Sequence, residues 1–122
     1  MKIYVRSQKN DAELRAIGDA IHDALIAQAN VPADDRFQIL NRLDRDQIVA
    51  HPSYGGVSRS EDVVIVEITL NAGRTVEIKK SLYADIASRL ERVGVRPDDV
   101  LVSLIEVTKE NWSFGGGRAT YV

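Results

Sequence analysis

Polar and apolar residues alternate from Lys2 to Arg6, with Ile3 and Val5 on one side, the period of a strand with one buried face. The period changes at Asn10. From there Leu14, Ile17, Ile21, Leu25 and Gln28 recur every three or four residues, predicting a helix over 11–29 with one stripe toward a core. Asn10 and Glu13 resemble a capping pair at its start. After V31-P-A-D-D35, the stretch Arg36 to Asn41 carries Phe37, Ile39 and Leu40 and reads as a second, partly buried strand. The plan then repeats. Asp62 to Leu70 predicts a third strand, Thr75 to Val93 a helix stopped by Gly94, and Val100 to Val107 a fourth strand after V95-R-P-D-D99.

The two halves keep a common spacing. Val31 and Val95 lie 64 residues apart, as do Asp34 with Asp98 and Asp35 with Asp99, while Ile17, Ile21 and Leu25 meet Leu82, Ile86 and Leu90 at a separation of 65. The expected fold is α+β: two consecutive β-α-β units forming a four-stranded mixed sheet in two layers, with both helices on one face. Residues 1–122 form a single domain, an internal pseudo-repeat of roughly 1–43 and 61–108 with a tail, 109–122. Residues 44 to 60 read as a connecting loop or small hairpin, and Trp112 to Val122 as a Gly-rich tail. Both are expected to reach a neighbouring subunit, because the uncovered sheet face calls for self-association.

Composition narrows the partners. Sixteen Lys and Arg against 18 Asp and Glu give a formal charge of -2 with interspersed signs, so no face suits nucleic acid. The absence of Cys excludes thiolate catalysis and Cys-ligated metal. No uninterrupted apolar stretch is longer than Val63 to Val66, far short of a membrane span of ~20 residues. With no signal-peptide core after M-K-I-Y-V-R, the expected location is the cytoplasm. His22, read as a helix-flank residue, and His51, before Pro52, lack a suitable carboxylate spacing, so no metal is expected.

The turn N71-A-G-R-T75 joins the most apolar strand to a helix. Unpaired N–H groups at the helix start, its dipole and the Arg74 guanidinium make a carboxylate site of Gly73, Arg74 and Thr75. The plain alternative is a Gly turn, a solvated Arg74 and an ordinary Thr75 N-cap. Arg36 and Arg118 are further carboxylate-gripping candidates.

V31-P-A-D-D-R-F-Q38, R59-S-E-D-V-V-I-V-E-I-T-L-N-A-G-R-T75 leading to K79-K-S-L-Y83, and V107-T-K-E-N-W-S-F-G115 together resemble the tautomerase superfamily, in particular its malonate semialdehyde decarboxylase-like branch. The resemblance covers nearly the whole chain. It implies a symmetric homotrimer without metal or organic cofactor, acting on small 2-oxo or 3-oxo acids through an N-terminal proline amine, with Asp35 assisting and Arg74 binding the substrate. Two positions depart from that pattern. Lys2 stands where the proline is expected, so the free amine is expected on a retained Met1, displaced by one residue; Ala72 stands where the decarboxylase carries a second arginine.

An α-amine starts near 7.7 to 8.0, and Arg74 with apolar surroundings would lower the Met1 value; Lys2 starts near 10.4 and needs a larger shift. The candidate proton-transfer set is therefore Met1, Lys2 and Asp35, and the candidate substrate-binding set Gly73, Arg74, Thr75 and Trp112. Trp112, with Phe114, would wall a pocket between subunits. Two functions fit: a weak or altered tautomerase with possible decarboxylase or hydratase side activity, or a catalytically inactive trimeric module that binds a carboxylate metabolite or a protein.

Overall fold

In the computed structural model, which describes all 122 residues, two helices lie on one face of a four-stranded sheet. The strands are β1 (Lys2–Arg6), β2 (Ile39–Leu43), β3 (Val64–Asn71) and β4 (Val100–Val107), in the order β2-β1-β3-β4. β1 and β2 pair in parallel, as do β3 and β4, and the antiparallel β1-β3 pair joins the halves. The helices are α1 (Asp11–Ala29) and α2 (Val76–Arg92). No helix is long and apolar enough to cross a membrane.

The predicted periodicities explain the core. Ile3 and Val5 from β1 and Val64, Val66, Ile68 and Leu70 from β3 turn to the helices, where Ile17, Ile21, Leu82, Ile86 and Leu90 meet them, all nearly or fully buried. Asn10 accepts from the Glu13 amide while the Glu13 side chain accepts from the Asn10 amide, completing the capping box. On the sheet's other face Ile39, Leu101 and Ile105 are exposed, the apolar surface that the alternation implied.

The second strand begins later than its composition suggests. Residues 36–38 do not join the ladder, because parallel pairing starts with Lys2 opposite Ile39 and the backbone before it turns to meet Met1.

The two ends of the pseudo-symmetric sheet differ. Where β1 ends and β3 begins, residues 44–60 form a largely exposed loop with one short 3-10 turn rather than a hairpin. Arg6 donates to the carbonyls of Arg45, Ile48 and Glu61, and Ile48 and Val63 are buried. Asp99, fully buried, accepts from the Ser60 amide and hydroxyl, both at 2.6 Å. That end is filled. Asp99→Asn is expected to cost about 1 to 2 kcal/mol in urea unfolding, since one charged acceptor becomes an amide donor facing a hydroxyl that must turn around.

Candidate active site

The opposite end, where β1 begins and β3 finishes, holds a cavity of about 340 Å³. Its lining includes Met1, His22, Asp35, Arg36, Gln38, Asn71, Arg74 and Trp112.

Met1 is fixed at three points. Its carbonyl accepts from the Ile39 amide at 2.9 Å, its ammonium donates to the Phe37 carbonyl at 3.0 Å, and its thioether lies 3.6 Å from the Gln38 amide nitrogen. Gln38 is itself held by the Gly18 carbonyl at 2.8 Å. A side chain on Gly18 would come within 2.7 Å of the Gln38 oxygen, so the helix carries glycine where Gln38 lies against it. The amine is pulled below its ordinary value of 8.0, first by burial and then by the neighbouring Lys2 ammonium, while the Asp35 carboxylate acts in the opposite direction. Burial was the expected cause, but the cation responsible is Lys2 rather than Arg74.

Lys2 lines a neighbouring hollow with Met1, Glu67 and Ile105, on the outer sheet face, and takes no part in the main cavity. Successive strand residues point to opposite faces, so the amine and the Lys2 side chain separate. Asp35 lies in the cavity wall, half-buried, and its carboxylate has no partner in the chain. Its counterpart in the repeat, Asp99, is engaged twice by Ser60.

Arg74 reaches the cavity while doing structural work. Nε and Nη2 donate to the Ala29 carbonyl at 3.0 and 2.8 Å, and Nη1 to the Asn71 carbonyl at 3.0 Å. The last turn of α1 has no basic residue, so this guanidinium from the other half supplies its C-terminal cation. Of five N–H groups, two remain for a ligand. Gly73 and Thr75 line no part of the cavity. Gly73, at φ 122°, makes the turn that a side chain would strain, and its amide helps Lys79 hold the Glu106 carboxyl below the usual range. Thr75 caps α2 by accepting from the Ile78 amide at 3.2 Å.

The tail folds back onto its own chain. Thr120 bonds to Trp112 and Phe114. Trp112 and Phe114 stack at 5.1 Å, with Phe37 and Tyr121 each 5.5 Å from Phe114. These four rings wall the cavity within one chain. The Trp112 N–H is engaged by the Asn71 side chain at 2.7 Å, so its ring rather than a donor serves the site.

Sequence reasoning missed His22, Gln38, Asn71 and Tyr121 as cavity residues. Asn71 had a signal: it opens the turn that carries Arg74. Arg36 lines the cavity but is tied to Asp19 at 2.6 Å and to Gln38, while Arg118 is exposed outside it.

The tandem β-α-β units thus bring Met1, Asp35 and Arg74 to the wall of one cavity. The chain belongs to the tautomerase family: the family model described as tautomerase enzyme matches residues 35–115. It is similar to the probable tautomerase YusQ of Bacillus subtilis (strain 168), 37% identical and covering 100% of this chain and 97% of that protein. A crystal structure of a malonate semialdehyde decarboxylase inhibited by 3-bromopropiolate shares 41% identity and a TM-score of 0.93, covering 98% and 92% of the two chains. A fused 4-OT trimer, at 23% identity and a TM-score of 0.80 with 98% and 95% covered, shows the same fold.

Proposed function

We propose that this protein is a cofactor-independent tautomerase acting on small oxo acids. The observation that carries this reading is the docking of the Met1 amine, its pKa depressed, in a cavity shared with Asp35 and Arg74. The two free N–H groups of Arg74 take the substrate carboxylate. The neutral Met1 amine removes the enol proton, and the resulting ammonium returns a proton to carbon, giving the keto acid. Asp35 favours the charged amine while the proton is held, and Lys2 tunes its pKa from outside the cavity. Gly73 and Thr75 act by placing Arg74, and Trp112 by walling the cavity.

A homotrimer would cover the exposed Ile39, Leu101 and Ile105, and the fused 4-OT relatives, described as trimers, support that assembly. The 41% identity to one malonate semialdehyde decarboxylase, and 34% to another described with decarboxylase and hydratase activities, support a weak side activity of either kind. The second reading, an inactive trimeric module holding a carboxylate metabolite or a protein partner, is favoured by Lys2 at the second position.

Ultraviolet-monitored ketonisation across a panel of small enol acids separates the readings. The enzyme reading expects saturable turnover above buffer; binding of the same acids with a rate equal to buffer would overturn it in favour of the module.

A further inference from the structure

His22 lies on α1, 5% exposed, in the cavity wall, and its Nε2 sits 2.9 Å from the Ala33 carbonyl. A carbonyl only accepts, so Nε2 carries the proton and donates. Ala33 is at the centre of the 31–36 segment. One end of that segment is fixed to α1, where the Asn30 and Val31 amides both donate to Leu25. Its other end leads to Phe37 and Ile39, which hold Met1. Asp35 lies between these points with no partner for its own carboxylate, so only the backbone sets its distance from the amine.

The second half shows another way to hold the same turn. There the residue matching His22, at the helix separation of 65, is Ala87, which offers no donor. The turn is fastened instead by Asp99, through two bonds to Ser60. In that half the carboxylate is consumed as the clamp. In the first half the His22 ring N–H clamps the middle of the turn and Arg36, tied to Asp19 of α1 at 2.6 Å, its end, and the matching Asp35 stays free at the cavity.

We propose that His22 is a positioning residue: its bond to Ala33 replaces the carboxylate clamp of the second half and so keeps Asp35 unengaged beside the Met1 amine. This rests on the Met1–Asp35 pairing of the functional reading. It concerns Asp35 placement and gives His22 no contact with the reacting atoms.

The test is competitive acylation of the Met1 amine across pH, which needs no turnover. The charges bearing on that amine are Lys2 from β1 and Asp35 from the turn, with Arg36, Arg74 and, in the neighbouring hollow, Glu67 nearby. Asp35→Asn is expected to lower the amine's apparent pKa, because the carboxylate raises it. Folded His22→Leu is expected to lower it in the same direction, the double variant no further than Asp35→Asn alone, and His22→Gln, whose amide can still reach Ala33, to restore the native value. His22→Asn, with a shorter reach, carries the expectation of His22→Leu if the latter fails to fold. A folded truncation that titrates like the native protein, or shifts that add in the double variant, would overturn the proposal. A shifted amine in a protein without turnover would uphold His22 while overturning the catalytic reading.

Discussion

Extending the chain by one residue before Met1 is expected to reduce kcat by about 10²- to 10⁴-fold, the range that a positioned acid–base group contributes. The added residue moves the amine away from the Phe37 carbonyl and the cavity while turning the native one into an amide, which does not titrate near neutrality. Stability should change little, because the Met1 carbonyl and thioether can keep their bonds to Ile39 and Gln38. KM should also hold, since Arg74 is untouched. Steady-state kinetics on protein of confirmed intact mass reads the effect, and an unchanged kcat would remove the amine from the mechanism.

Arg74→Ala is expected to raise KM by roughly ten- to a hundredfold with a smaller change in kcat, the loss of a charged hydrogen-bonded contact made in ground and transition states alike. A second effect follows from its other role. The Ala29 carbonyl, at the end of α1, loses both N–H groups that approach it, so thermal unfolding should fall as well, by about 1 to 3 kcal/mol in stability terms. Assays well below the lowered midpoint keep the two effects apart. Unchanged KM in folded Arg74→Ala would place the carboxylate elsewhere.

Much of the fold was legible because it is local and repeated. The strand and helix periods and the Asn10–Glu13 cap lie within short windows, the 64- and 65-residue spacings repeat them, and apart from the later start of β2 the elements appear where expected. The candidate site was legible only in part. Arg74 was readable as a guanidinium at a turn, but its main partner, Ala29, is 45 residues away and no spacing reveals it. His22 looked like a helix flank because the 31–36 segment that buries it returns over α1 only in three dimensions. Within the chain, positive φ values at Gly115, Gly116 and Gly117 let the tail double back onto the cavity, a path that the Gly-rich composition alone does not reveal. The paired aspartates show the limit of the repeat itself, since Asp35 and Asp99 match in sequence while one is free and the other is fully buried and bonded.

If the Met1 amine carries the proton, its titration must govern turnover. Acylation kinetics of that amine and kcat/KM for ketonisation are measured over the same pH series. kcat/KM is expected to rise with pH as the amine loses its proton, with both midpoints coinciding below the ordinary value of 8.0. An amine midpoint at or above 8.0, or a kinetic midpoint that does not follow it, would remove the Met1 amine as the proton carrier.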